Sequence, residues 1–281
     1  MKKKESISNA GIYVILCVMS LIWLFPIVWL ILQSFRETPQ GAFTKNFLPL
    51  TYTTQNYTKL FTDTTLFNYP RWFLNTLVVA VASCIITTVL VLLTAYAFSR
   101  LRFAARRPMM NVILILGMFP GFMSMIAIYH ILKAIGLIQS LFSLVLIYSG
   151  GAITKYYIAK GFFDTIPRSI DEAALIDGAT KNEVFWKISL PLSKPIIIYT
   201  ILESFIAPWV DFIVVSVIMK DNYNNYTIAL GLYQMLTREN ITKYFTQFCA
   251  GAVLIAIPIT VLFIVMQKYY VGGVTAGGAK G

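Results

Sequence analysis

The chain contains five long stretches without a single Lys, Arg, Asp or Glu residue. An α-helix needs about 20 such residues to cross the ~30 Å hydrocarbon core of a bilayer. Because the apolar residues are continuous rather than alternating, the stretches predict membrane helices and exclude a membrane β-barrel. The five stretches are Ser6–Phe35, Trp72–Ser99, Pro108–Leu132, Ala134–Thr154 and Tyr244–Gln267.

A sixth apolar segment, Pro195–Met219, is interrupted by Glu203 and Asp211. We therefore predict an all-α integral membrane protein with six transmembrane helices. Composition agrees, because 58% of the residues are hydrophobic and only 12% are charged, about half the usual charged share. This excludes a soluble enzyme, a disordered chain and a secreted disulfide scaffold. The six helices are expected at about residues 12–33, 73–98, 109–132, 137–157, 196–219 and 245–267.

The net charge of +11 follows from the predicted topology. If both termini are cytoplasmic, 15 Lys and Arg residues fall in cytoplasmic segments and 8 in outer segments, as the positive-inside rule requires. No nucleic-acid partner is needed to explain this charge. The domain prediction is a first helix with a long extracellular loop (1–72), a transmembrane core (73–267) and a Gly-rich cytoplasmic tail (268–281). The apolar run after Lys2–Lys4 is too long for a signal peptide, so we expect it to be retained.

The sequence lacks the motifs expected for nucleotide binding, metal binding or catalysis. Gly-Lys does not occur, so there is no phosphate-binding Walker A loop. The single histidine, His130, cannot form a metal cluster, and Cys17, Cys84 and Cys249 all lie in apolar runs. We expect a transport subunit that is not an enzyme and that binds no cofactor or metal.

The most informative loop lies between the fourth and fifth predicted spans, at residues 167–191. Ser169 and Glu172 match a capping box, which predicts a helix beginning at Ile170, and Gly178 is suited to end it in a left-handed conformation. A second capping pattern, Thr180 to Glu183, predicts another short helix through about residue 189. Pro191 and Pro195 are expected to stop that helix.

The pattern Glu172-Ala173-Ala174-x3-Gly178-x9-Ile188-x-Leu190-Pro191 resembles the EAA motif of ABC importer permeases. The resemblance implies a type I ABC importer (MetI-like) fold and a loop that docks on a separate ATPase subunit, where ATP and Mg would bind. The residues carried over as the ATPase-coupling surface are Glu172, Ala173, Ala174, Asp177, Gly178, Ile188, Leu190 and Pro191.

Three further stretches resemble the carbohydrate branch of that family: Asn75-Thr76-Leu77, Ala95–Phe103 and the tail Gly273–Gly281, which is similar to the tail of MalG-type maltose/maltodextrin permeases. The resemblance implies an oligosaccharide substrate, a MalF-type partner permease, two ATPase subunits and an extracellular sugar-binding protein. Thr275, Gly277, Gly278 and Lys280 are the tail residues expected to contact the ATPase.

Two acidic residues in the fifth span predict a polar environment inside the membrane. Each would cost ~2.5–3.5 kcal/mol at a helix centre facing lipid, so Glu203 and Asp211 are expected to face protein or water, helped by a kink at Pro208. Together with Trp209 and Phe212 they are candidates to line or gate a sugar path; packing against the partner permease is the alternative. Val210 departs from the Asn that the family often has there.

Two other functions stay open from the sequence. The same importer family also serves other oligosaccharides, so the sugar is not determined by the motif. An ion-coupled secondary transporter could instead use Glu203 and Asp211 as proton sites, although no internal repeat is visible.

Overall fold

The structure is a computed structural model that describes residues 2–37, 46–119 and 121–278. The regular secondary structure of the described part is helical, apart from one isolated antiparallel bridge between Arg36 and Tyr52, and turns and loops connect the helices. A π-helix, Val184–Ser189, joins α9 to α10, and a 3₁₀ helix, Tyr223–Asn225, lies between α12 and α13. The α-helices are α1 (Lys2–Ser34), α2 (Gln55–Thr62), α3 (Tyr69–Arg100), α4 (Arg106–Gly117), α5 (Gly121–Ala134), α6 (Leu141–Gly150), α7 (Ile153–Thr165), α8 (Arg168–Ile176), α9 (Lys181–Glu183), α10 (Leu190–Leu192), α11 (Lys194–Val210), α12 (Ile213–Met219), α13 (Ile228–Met235) and α14 (Ile241–Gly278).

Three of these helices contain segments long and apolar enough to cross a membrane: Gly11–Ser34, Tyr69–Arg100 and Ile241–Gln267. Two bent pairs raise the number of candidate spans in the described residues to five. They are α6 with α7, bent by 41°, and Lys181–Leu192 with α11, bent by 77°. The structure therefore supports three to five spans.

The third predicted span is divided in the structure. Instead of one helix over residues 109–132, α4 ends at Gly117 and α5 begins at Gly121. The intervening sequence has a proline next to a glycine, Pro120-Gly121. Proline lacks an amide donor and glycine weakens a helix interior, so continuity is costly at this point.

The fifth predicted span also breaks, but not at Pro208. Pro208 lies within α11, which continues to Val210, and α12 begins at Ile213. Oδ1 of Asp211 accepts a hydrogen bond of 3.0 Å from the amide of Val214. The acidic residue thus satisfies a free amide at the start of α12 and supports the break.

The chain divides into two compact units, and the first comprises Met1–Pro70 and Leu232–Ile257. Asn56 organises it: its Nδ2 donates to the carbonyls of Ser34 and Arg36, both at 2.9 Å, and its Oδ1 accepts from Thr246 at 3.1 Å. In contrast, α1 leaves its apolar side chains exposed, with Trp23 73% exposed. Such a surface is suited to lipid or another chain.

The second unit comprises Arg71–Gly231 and Pro258–Gly281. Nδ2 of Asn75 donates to the carbonyls of Asn224 (2.8 Å) and Tyr226 (3.0 Å), and Oγ1 of Thr76 accepts from the amide of Ile228 at 2.7 Å. The Asn75-Thr76 pair therefore fastens α3 to the segment that begins α13.

Candidate functional site

The EAA loop, defined here as Pro167–Pro191, begins with α8. This helix starts at Arg168, and its first flanking residue, Pro167, provides no side-chain cap. The predicted capping box of Ser169 and Glu172 is therefore wrong, because the helix begins earlier and Ser169 already lies inside it. The Arg168 side chain donates a hydrogen bond of 3.2 Å to the carbonyl of Ser99.

The end of α8 is formed by Gly178, as predicted. Its φ is +89°, the left-handed region that a side chain disfavours. The amide of Gly178 donates to the carbonyl of Leu175 at 3.2 Å, and the amide of Ala179 donates to that of Ala174 at 3.0 Å. These two bonds form a Schellman motif, which closes the helix and turns the chain sharply.

The second predicted capping box is confirmed: the Thr180 side chain and the Glu183 carboxylate each bind the other's backbone amide. Glu183 also accepts a hydrogen bond of 2.7 Å from Lys187. The hydrogen bond from Lys187, followed by those from Thr180, lowers the pKa of Glu183 to about 2. The start of this second helix is thus defined by local side-chain contacts.

The helical segment does not stop at residue 189 as predicted. It continues through the π-helix and α10 to Leu192. The amide of Leu190 bonds to the carbonyl of Phe185 across a wide turn, and this wider geometry admits Pro191, which has no amide hydrogen. Chain direction then changes by 77° into α11.

The underside of the EAA loop is apolar and buried. Val184 is 1% exposed and Phe185 is 5% exposed. The Tyr96 ring centroid lies 4.7 Å from that of Phe185 and 5.7 Å from that of Phe163. Because Tyr96 belongs to α3, this aromatic contact attaches the loop directly to a membrane helix.

An ion pair makes a second attachment between α3 and the EAA loop. Nε of Arg100 lies 3.2 Å from Oδ2 of Asp171, and the two side chains are only 5% and 14% exposed. The Arg100 guanidinium also donates a hydrogen bond of 2.7 Å to the carbonyl of Ile166. This pair could not be predicted from the sequence, since no spacing rule relates residues that far apart.

Most of the predicted coupling residues lie at the surface of the loop. Ala174 is the exception, because it is only 9% exposed and packs inward. Ile176, next to Asp177, is 85% exposed and is the most prominent apolar side chain of α8. Glu172, Ala173, Asp177, Gly178 and Pro191 are exposed, whereas Ile188 and Leu190 are half-buried.

A cleft of about 290 Å³ opens between the end of α3 and α8. Asp171 and Glu172 line it from α8, and basic groups face them. The basic residues lining the cleft are Arg100, Arg102, Arg168 and Lys181. This mixed charge, beside the exposed Ile176, gives the surface the features of a protein-docking site.

The four polar and aromatic candidates of the fifth span have different surroundings. Glu203 is exposed, and Phe212 is 37% exposed. Asp211 is half-buried and accepts a hydrogen bond of 3.1 Å from the Tyr148 hydroxyl. Trp209 is 1% exposed, and its ring centroid lies 5.1 Å from that of Phe73. Glu203 is thus at the surface of the chain, while Trp209 is part of its packed interior.

Lys155 lies near the end of the span predicted at residues 137–157. The count of cytoplasmic charges nevertheless includes it, and in the structure it lies in α7. Its Nζ donates a hydrogen bond of 3.1 Å to Oγ of Ser204 on α11. The uncharged stretch ends at Thr154, whereas the helix continues to Thr165, beyond the predicted end at residue 157.

The predicted tail contacts lie at the end of the chain. Thr275, Gly277 and Gly278 belong to the last turns of α14. Lys280 lies outside the described residues.

The sequence is similar to transport permeases over its whole length. The galactooligosaccharide transport permease GanQ of Bacillus subtilis is 36% identical over 100% of this chain and 99% of the relative. The maltodextrin transport permease MdxG of the same organism is also 36% identical, over 96% and 95% of the two chains.

A solved structure shows the same fold. It is a bacterial ABC transporter involved in the import of the acidic polysaccharide alginate, with a TM-score of 0.77 and 24% identity over 95% of this chain and 98% of that chain. The type I ABC importer permease fold expected from the EAA motif is therefore confirmed. The sequence pattern of binding-protein-dependent transport system inner membrane components matches residues 87–275, which include the EAA loop. The chain is a membrane-embedded member of that family.

Proposed function

We propose that this chain is one permease subunit of an ATP-driven importer for maltodextrin-like oligosaccharides. The observation that supports this most directly is the EAA loop, a rigid docking surface attached to α3 by the Arg100–Asp171 pair. The proposed topology has six spans with both termini in the cytoplasm of a bacterial cell membrane. In this topology α4 and α5 together form the third span, because neither helix alone is long enough to cross the membrane.

The proposed mechanism is alternating access. ATP binding closes two separate ATPase subunits, which hold the ATP and Mg, and their motion acts on the exposed face of α8. The Arg100–Asp171 contact and the Tyr96–Phe185 contact pass this displacement to α3. Because Gly178 closes α8 as a rigid unit, the loop moves the membrane helix instead of deforming.

The sugar path would lie where this chain meets a MalF-type partner permease. Glu203 is exposed on the isolated chain, and a carboxylate facing lipid is costly, so it is best placed at that interface or in water. Asp211 and Phe212 follow on the same segment, while the buried Trp209 would support the wall rather than contact sugar. An extracellular sugar-binding protein would deliver the cargo.

Galactooligosaccharide import is a second candidate, because GanQ matches this chain as well as MdxG does. The deciding experiment is co-expression with the neighbouring permease, ATPase and binding protein, followed by sugar-stimulated ATPase assays in proteoliposomes. We expect stimulation by maltodextrins; stimulation by galactooligosaccharides alone would select the second candidate. Uptake without an ATPase subunit, abolished by a proton ionophore, would contradict both and support ion coupling through Glu203 and Asp211.

A further inference from the structure

Lys155 lies near the middle of an apolar span. The bent pair of α6 and α7 passes as one membrane-crossing segment, and Lys155 is 14 residues after Leu141 and 10 before Thr165. A charged side chain at that depth is costly in lipid and normally faces a protein partner or a water-filled path. Its position therefore requires an explanation.

The partner of Lys155 lies at a comparable position along its own helix. Ser204, whose Oγ accepts the hydrogen bond from Nζ, lies 10 residues after Lys194, the first residue of α11. At ~1.5 Å per residue this is about 15 Å, half of the ~30 Å hydrocarbon thickness. The contact thus lies near the middle of two candidate spans, if α11 crosses the membrane from Lys194.

Glu203 adds the opposite charge at the same depth. It is exposed and directly precedes Ser204 on α11. Within the described part of the chain the Glu203 carboxylate has no ion pair within 4.0 Å and no side-chain hydrogen bond. The bond to Ser204 uses one of the three N–H donors of Lys155. Donor capacity therefore remains on Lys155 and acceptor capacity on Glu203, the residue before its partner Ser204.

We propose that Lys155, Ser204 and Glu203 form a sugar-hydroxyl subsite halfway across the membrane, an inference that rests on the proposed transport of oligosaccharides. The ammonium of Lys155 would donate to a sugar oxygen, and the Glu203 carboxylate would accept from adjacent hydroxyls. Charge-assisted hydrogen bonds of this kind are strong and directional. Because the two charges offset each other, the subsite suits a neutral polyhydroxyl chain better than an ion. An ion would be attracted by one of the two charges and repelled by the other.

The test uses the complete importer, with its partner permease, ATPase and binding protein, reconstituted in proteoliposomes. Lys155→Met and Glu203→Gln should each raise the sugar concentration for half-maximal stimulated ATPase by about tenfold, which corresponds to about 1.4 kcal/mol. Maximal rate should change less. Since Glu203 is exposed on this chain, Glu203→Gln keeps the test decisive even where Lys155→Met fails to assemble.

The matched control is Lys160→Met on the same helix. Lys160 forms an ion pair with Asp164, whose side chain is 41% exposed, and lies outside the subsite. It should leave the half-maximal concentration unchanged. A shift of less than about twofold in Glu203→Gln, or an equal shift in Lys160→Met, would overturn the subsite. A wild-type complex that no sugar stimulates would overturn the proposed function itself, so the two failures are distinguishable.

Discussion

The EAA loop and the mid-span cluster of Lys155, Ser204 and Glu203 differ in how their geometry is produced. The loop is a continuous segment whose turns follow from local backbone chemistry, such as the left-handed Gly178 and the Thr180–Glu183 capping box. The cluster joins two helices through a contact between residues 49 positions apart. The loop is therefore expected to control coupling to ATP, and the cluster to control sugar affinity.

The largest expected effect is on the coupling side. Gly178→Val places a β-branched residue at φ +89°, where strain costs ~1–3 kcal/mol. We expect sugar uptake to fall by about tenfold or more, while the half-maximal sugar concentration stays unchanged. Uptake and ATPase activity measured on the same proteoliposomes would show this loss of coupling.

The control for that prediction is Gly161→Ala. Gly161 lies in α7, and an added Cβ there would meet nothing within 4 Å, so its uptake should equal that of the wild type. Normal uptake by Gly178→Val would refute the role given to the loop. If Gly178→Val changed only the sugar affinity, the loop and the cluster would not have the separate roles proposed for them.

The next effect concerns the link between the loop and α3. Arg100→Met leaves the Asp171 carboxylate, whose side chain is 14% exposed, without its ion-pair partner, and breaking a buried pair typically costs ~3–5 kcal/mol. We expect a lower thermal unfolding temperature of the purified complex and weaker stimulation of ATPase by sugar. The double variant Arg100→Met/Asp171→Met should lower the unfolding temperature by less than the sum of the two single variants, because the pair acts as a unit.

The exposed pair of Lys187 and Glu183 is the matched comparison, since the Lys187 side chain is 72% exposed. Lys187→Met should leave the unfolding temperature unchanged, as exposed pairs contribute little. An equal decrease in unfolding temperature for Arg100→Met and Lys187→Met would show that burial does not strengthen the link to α3.

A smaller effect is expected at Tyr148. Tyr148→Phe removes its hydrogen bond to Asp211, which is worth ~0.5–1.5 kcal/mol. Asp211 would keep its bond to the Val214 amide, so we expect at most a few-fold change in half-maximal sugar concentration. An increase in half-maximal sugar concentration as large as that of Glu203→Gln would show that Asp211 also belongs to the mid-span subsite.

The smallest effect is a pH dependence within the EAA loop. The pKa of Glu183 is lowered from 4.5 to about 2, so its stabilising contribution is present above pH 4.5 and is lost as pH falls toward 2. The hydrogen-exchange rate of the Thr180 amide, corrected for the intrinsic rate, should therefore be constant above pH 4.5. It should increase as the pH falls below 4.5. Glu183→Gln should remove that transition; an unchanged transition would assign it to another carboxylate.

Sequence reasoning succeeded where a short segment dictates its own conformation. Gly178 and the Thr180–Glu183 box were predicted correctly, because each depends on neighbours within a few residues. It failed at Ser169, because α8 begins at Arg168 and Ser169 lies inside the helix rather than at its cap. The predicted span 137–157 included Lys155 but ended too early, because α7 continues to Thr165.

By itself the sequence determined that this is a membrane protein of the binding-protein-dependent transport family, since apolar length and the EAA motif are both local properties. Only the tertiary structure decided that Arg100 meets Asp171, that Ala174 packs inward, and that Lys155 lies beside Ser204 at mid-span. The physical reason is range. Helix formation and capping depend on residues a few positions apart, whereas partners for buried or intramembrane charges come from whichever helix packs alongside.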